Sequence, residues 1–409
     1  MESLSMANTN FALHLFSKIK EGNKTNNIFY SPLSISSALS MVLLGAAGNT
    51  ATQISEVLCF DKAGKPVAVQ QAQQTQKSQV PAALQKTLHQ SKAKDDIHVS
   101  FNKLLSELNK AGAPYTLSLA NRLYGEQSYQ FMEKFLNETK THYKAKLETV
   151  DFKSNAEASR VKINNWVEKQ TKEKIKNLLA KGTVDNLTKL VLVNAIYLKC
   201  NWEKQFDQYS TKEHPFKMNK TETKLVQMMN QTAMFPLALI PEIKCKILEM
   251  PYEGQELSML IMLPFEIEDD TTGLEKIEKH LTYEKFIEWT DGMKVAGVQV
   301  SLPRFKLEDT YDMKELLIGM GMVDAFNPVK SDFSRMSPCK DLVVSKVVHK
   351  SFVGVNEEGT EAAAATGVVI TSKSAIIAFQ EFVADHPFLF FIQHKSTRSI
   401  LFSGRYSSP

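Results

Sequence analysis

Residue types that do chemistry occur along this chain, but not in the contexts that enzymes need. Zinc hydrolases place two histidines one helical turn apart around a glutamate, P-loops end a Gly-rich turn in Lys-Ser/Thr, and hydrolase elbows hold serine between glycines. No H-E-x-x-H, G-x-x-x-x-G-K-[ST] or G-x-S-x-G is present. Gly319-Met320-Gly321 lies in an apolar helical stretch and reads as packing rather than a dinucleotide loop. His349 stands among apolar strand residues, the setting of a satisfied core histidine. Cys59, Cys200, Cys245 and Cys339 are far apart with no C-x-x-C pair, so buried thiols are expected and neither a zinc site nor a disulfide framework. No enzyme activity, metal or cofactor is expected.

The informative segment is late: Glu357-Glu358-Gly359-Thr360-Glu361-Ala362-Ala363-Ala364-Ala365-Thr366, continuing through Gly367, Val368, Val369 and Ile370 to Lys373 and Ser374. Its alanine run alone would suggest a helix. With period two, however, Thr360, Ala362, Ala364, Thr366, Val368 and Ile370 share an uncharged face that grows bulkier along the chain. Such a segment can become a strand with that face in a core. Its small side chains suit passage between two existing strands.

The surrounding chain is long enough to support a large core. It has 409 residues, 43% hydrophobic and 23% charged, with a net charge of +4 spread along its length. These values fit a soluble folded protein and exclude collagen-like, disordered and coiled-coil classes. They give no argument for nucleic acid as a partner. No run approaches the eighteen apolar residues of a membrane span, and Met1 to Asn8 lack a basic n-region and an apolar h-region, so a cytoplasmic protein is expected. The sequons at Asn23, Asn137, Asn186, Asn219 and Asn230 are then chance matches; release without a cleaved signal peptide stays open.

Phe11, Ala12, Leu15, Phe16 and Ile19 share a helical face, so a helix starts almost at residue one. Ile28–Tyr30 is a short strand, Ser31 and Pro32 cap and open an apolar helix ending near Gly45, and another helix covers about Thr50 to Cys59. Residues 61–94 are Gln-rich without apolar periodicity, a solvated loop. Helices are expected at about Asp95–Lys110, Asn155–Ala180, Gly273–Trp289 and Tyr311–Met320. In the second, Val161, Ile163, Trp166, Ile175, Leu178 and Leu179 should point inward. Strands are expected at Leu190–Tyr197, Lys244–Met250, Leu257–Leu263, Val295–Leu302 and Leu342–Val355. Helices early and strands late give an α+β fold with antiparallel or mixed sheets, and no linker divides the chain.

Five motifs in fixed order carry a resemblance: Asn27-Ile28-Phe29-Tyr30-Ser31-Pro32-Leu33-Ser34-Ile35; Leu192-Val193-Asn194-Ala195-Ile196-Tyr197-Leu198-Lys199 with Trp202; Val347-Val348-His349-Lys350; Glu357 to Thr366; and Ala384-Asp385-His386-Pro387-Phe388-Leu389-Phe390-Phe391-Ile392. Over its whole length the chain resembles a serpin of the ovalbumin-like intracellular group. The resemblance implies one serpin domain over 1–409, with three β-sheets, eight or nine helices, an inserted loop at 61–94 and a hinge and exposed reactive-centre loop at 357–380. It also implies a monomer.

The resemblance further implies suicide inhibition. A serine protease cuts the loop and forms an acyl-enzyme, the hinge Gly359 to Thr366 inserts into the large sheet, and the covalently bound protease is dragged along and distorted. Loop insertion is known serpin behaviour and not a deduction from spacing. About fourteen residues at about 3.3 Å each would carry the protease on the order of 45 Å. The loop length usual in inhibitory serpins, counted from the hinge glycine, implies a cut between Lys373 and Ser374, and lysine fits a trypsin-like pocket with a buried aspartate. By the same resemblance Ser31, Ser34, Asn194 and His349 form a shutter under the sheet, and Trp202, Arg304 and Glu357 mark the breach where the hinge enters. Non-inhibitory serpins (chaperones, carriers or storage proteins) and cross-class cysteine protease inhibitors are the alternatives. Thr360 and Ala362 to Ala365 favour inhibition, because non-inhibitory members tend to carry bulky, charged or proline residues there.

Overall fold

A computed structural model describes residues 2–61, 97–360 and 379–409. The 61–94 loop (from residue 62), the hinge from Glu361 to Thr366, and Lys373 and Ser374 lie outside the described residues. In chain order the helices are α1 Glu2–Glu21, α2 Pro32–Gly45, α3 Gly48–Val57, α4 97–108, α5 Glu133–Tyr143, α6 Phe152–Gln170, α7 Glu275–His280, α8 Tyr283–Asp291 and α9 Lys314–Met320. The strands are β1 Ile28–Tyr30, β2 Tyr115–Glu126, β3 Leu147–Val150, β4 Leu190–Asn201, β5 Lys212–Lys217, β6 Thr223–Ile240, β7 Cys245–Pro251 and β8 Leu257–Pro264. They continue as β9 Lys294–Pro303, β10 Phe305–Asp312, β11 Val344–Val355, β12 Gly359–Thr360, β13 Gln380–Val383, β14 Phe388–His394 and β15 Ser399–Tyr406.

Local chemistry explains the helix that organises the core. Pro32 occupies the first turn of α2, and the Ser31 hydroxyl accepts the Ser34 amide at 3.2 Å. Every residue of α2 is buried, as expected of a helix apolar on all sides. It packs against α1, α5, β4 and β15. Gly319 and Gly321 have structural roles: a Cβ at Gly319 would meet Lys18, and Gly321, at φ +116°, ends α9.

Three sheets were expected, and two of them are hydrogen-bonded into one unit of nine strands. The joint is the 18-residue β6, which pairs with β5 and β9 along its first part and with β7 further on. The other sheet has six strands in the order β10-β11-β12-β4-β2-β3. β11 and β4 are parallel neighbours, paired from Val344↔Leu190 to Phe352↔Tyr197 with one register shift between Val344 and Lys346. Beyond that they diverge, and β12 sits between them, antiparallel to both. The sheet is therefore mixed.

The helix expected at Asn155–Ala180 is shorter and shifted. It is capped by Asp151, whose carboxylate accepts the Ser154 amide at 2.8 Å, and it ends at Gln170. Lys172, Glu173 and Asn177 all take positive φ, which an α-helix cannot propagate through. The chain folds back, so Asn164 bonds both the carbonyl and the amide of Leu179, at 2.9 and 2.8 Å. Ile163, Ile175, Leu178 and Leu179 are buried as expected, but Val161 is exposed. This covering layer packs on Tyr124, Val191, Val193, Tyr197 and Val348 of the six-stranded sheet. The Arg122 guanidinium lies 4.0 Å from the Trp166 ring centroid and pins α6 to β2.

The remaining expected helices also end differently. Gly273–Trp289 is two helices, α7 and α8, and Tyr311 belongs to β10, so the last helix begins only at Lys314.

Candidate functional site: the entrance between β4 and β11

At the end of β11 the chain must reverse to enter the gap beside it. Asn356 makes that turn: its side-chain oxygen accepts the amides of Glu358 and Gly359, each at 3.1 Å, and its own amide bonds the Gly359 carbonyl at 3.0 Å. Gly359 then passes so close to β4 that a Cβ would lie 2.1 Å from the Cys200 carbonyl oxygen and 2.6 Å from the Asn201 Cα. Only glycine fits that approach. Thr360 follows, fully buried, facing Cys200 on β4 and Val355 on β11. Its hydroxyl bonds the Tyr252 hydroxyl at 2.6 Å.

Trp202, Arg304 and Glu357 are brought together around this turn. The Trp202 indole donates to the Asn356 carbonyl at 2.9 Å, and its backbone amide donates to the Glu358 carbonyl at 2.8 Å. The buried Glu357 carboxylate pairs with Arg304 and accepts the Thr211 hydroxyl at 2.7 Å. Burial would raise the Glu357 pKa, but the hydrogen bonds from Arg304 and Thr211 outweigh it and hold the carboxyl below its usual range.

Further down the same seam, Ser31, Ser34, Asn194 and His349 form one hydrogen-bonded cluster. The Asn194 amide donates to the Ser34 carbonyl at 3.0 Å and to its hydroxyl at 2.5 Å, and the Ser31 amide donates to His349 Nε2 at 3.1 Å. The Asn194 side-chain oxygen faces His349 Nδ1, a bond that joins β4 to β11. Because a backbone amide can only donate, Nε2 must accept, and Nδ1 carries the proton. Sequence reasoning missed Asn121, Ser37, Thr211, Tyr252 and Asn356. Asn121 bonds the Ser37 hydroxyl at 2.9 Å and also reaches Asn194 and Ser34. Only Asn356, three residues before the hinge glycine, had a local turn signature.

This cluster gives a pH prediction. Burial lowers the His349 pKa to about 3, against about 6.5 in an unfolded chain. Between those values the unfolded chain binds the additional proton, so the share of stability tied to neutral His349 is complete above about pH 6.5 and is lost as pH falls towards 3. His349→Gln should lessen that acid sensitivity in chemical denaturation at pH 7 and pH 4.5. An equal loss in both proteins would show that His349 does not contribute.

Among the described residues no group of three His, Cys, Asp or Glu side chains is placed to hold a metal ion, and no helix is long and apolar enough to cross a membrane. Cys59, Cys200 and Cys245 are buried, and burial raises the Cys200 pKa to about 12. The geometry around the turn and the seam is built from side chains that bond one strand to another. It assembles a slot, already primed by two residues, in a sheet whose neighbouring strands are held by side-chain bonds.

An α+β molecule with such a strand entrance is a serpin: the family model described as "Serpin (serine protease inhibitor)" matches residues 6–409, and the chain belongs to that family. It is 50% identical to the leukocyte elastase inhibitor of Equus caballus over 411 aligned positions, covering 100% of both chains. Among solved structures it matches maspin at a TM-score of 0.85 and 37% identity, covering 100% of this chain and 99% of that one. It also matches a loop-inserted, P1–P1′ cleaved ovalbumin mutant at 0.83 and 35% identity, covering 99% and 100%. The chain shares the fold of these serpins and the family's inhibitory function toward serine proteases.

Proposed function

We propose that the chain inhibits trypsin-like serine proteases as a suicide substrate cut between Lys373 and Ser374. The observation that carries this reading is β12: Gly359 and Thr360 already stand as the first two residues of a strand between β4 and β11. Residues Glu361, Ala362, Ala363, Ala364, Ala365 and Thr366 follow in sequence, and they combine small side chains with a single charge. The loop-inserted cleaved ovalbumin mutant supplies a precedent of the same fold. After cleavage, insertion competes with hydrolysis of the acyl-enzyme, and the faster process decides whether the partner stays covalently bound.

In this reading Ser31, Ser34, Asn194 and His349 act as the shutter, since the His349 to Asn194 bond must break when the seam opens. Trp202, Arg304 and Glu357 set how readily the breach admits the hinge. None of them does chemistry, and the chain itself has no catalytic role. It works as a monomer, as one serpin domain over 1–409, in the cytoplasm or after release from the cell. The Equus caballus relative is named for elastase, whereas a lysine suits a pocket with an aspartate at its base and not a small apolar one.

Incubation with trypsin, followed by denaturing electrophoresis and mass measurement of the C-terminal fragment, tests the reading. A stable complex and a fragment beginning at Ser374 are expected. Lys373→Phe should move complex formation to chymotrypsin and abolish it with trypsin; an unchanged profile would place the cut elsewhere.

A further inference from the structure

Tyr252 lies in the turn between β7 and β8, on the nine-stranded sheet, yet its hydroxyl reaches Thr360 in the seam of the six-stranded one. It is fully buried, its amide donates to the Leu257 carbonyl at 3.0 Å, and its ring stacks on Trp202 at 4.5 Å with planes 8° apart. Backbone and ring are thus each held by a contact that does not involve Thr360. Burial pushes its hydroxyl well above the ordinary tyrosine pKa, so it stays protonated and able to donate. Thr360 has no water to turn to, because its side chain is fully buried. Each hydroxyl therefore satisfies the other, and withdrawal of Thr360 would leave the Tyr252 hydroxyl without this partner in a dry site.

We propose that Tyr252 is a positioning residue for inhibition: its hydroxyl fixes Thr360 in the register from which strand insertion proceeds. The inference rests on the insertion mechanism proposed above. Two features make the pairing selective. Gly359 admits the chain at one place only, and the bond next to it sets how deep the first side chain sits. Loss of either oxygen, with ring or branched shape kept, removes the register mark.

A double-mutant cycle tests this with Tyr252→Phe, Thr360→Val and the two combined. Phenylalanine retains the stack on Trp202, and valine retains the branched shape of threonine. Two readouts are taken: hydrogen exchange in the peptide carrying Gly359 and Thr360, and the moles of inhibitor consumed per mole of trypsin blocked. Each single variant orphans one buried hydroxyl and is expected to speed exchange about tenfold, with more inhibitor lost to simple cleavage. The combined variant, with no hydroxyl left to satisfy, should recover most of that loss. Additive effects, or single variants indistinguishable from the unaltered chain, would overturn the assignment. If Tyr252→Phe does not fold, Thr360→Val alone must still show faster exchange. Coupled exchange without a protease complex in any version would instead sink the inhibitory reading and leave the contact standing, so the two failures are separable.

Discussion

Thr360→Arg is expected to be cut by trypsin as readily as the unaltered chain and to hold almost none of it in a stable complex. The reason lies in where Thr360 sits. It is fully buried between β4 and β11, its hydroxyl is engaged by Tyr252, and it is one of the two residues of β12. An arginine there would carry an unpaired guanidinium into that site at a cost on the order of several kcal/mol. The intact chain can avoid the cost by leaving the seam, so its fold should survive. The cleaved chain cannot avoid it without giving up insertion, so hydrolysis wins the competition. Denaturing electrophoresis with a range of inhibitor-to-trypsin ratios would show a cleaved band in place of the complex. Undiminished complex would refute entry of this side chain into the sheet.

Cleavage of the loop should also raise thermal stability by an amount too large to miss. Roughly ten new ladder hydrogen bonds at about 0.5–1.5 kcal/mol net contribute on the order of 10 kcal/mol, before burial of Val368 and Ile370. At about 2.1 cal/mol/K per residue, the unfolding entropy of this 409-residue chain is about 0.9 kcal/mol/K. The midpoint should then rise by roughly 12 °C. A rise of that size would mean that the uncut fold is held by a kinetic barrier and not by being the most stable arrangement. Scanning calorimetry before and after limited trypsin cleavage measures this. An unmoved midpoint would mean that the severed hinge gains nothing from the sheet.

Much of this was legible in the residues because the signals were local. Ser31 with Pro32 announced α2, and continuous apolar runs announced β4, β7, β8 and β11, all found within a few residues of their expected limits. What escaped was set by distant partners. The periodicity of 155–180 is helical in its apolar spacing, but the return of Leu179 onto Asn164 ends the helix ten residues early. β6 is long and its burial alternates irregularly, because one part faces β5 and β9 and another faces β7, so no single period describes it. Tyr252 had no recognisable neighbourhood in sequence; its partner is 108 positions away. The resemblance located Trp202, Arg304 and Glu357, whereas the polar atoms that complete their contacts, from Thr211 and Asn356, follow from packing.

The direction of the chain on either side of the seam decides where this sheet can accept a guest. A ribbon placed between two neighbours that run the same way opposes both at once, and β12 does so. Between β2 and β4, or between β10 and β11, which run oppositely, it would have to travel alongside one of them, and the sheet's other parallel pair, β2 with β3, meets over only four residues at its edge. At β4 and β11 one slanted ladder is exchanged for two straight ones, the sturdier geometry per residue. The fold has thus built its line of fracture where repair is most rewarding.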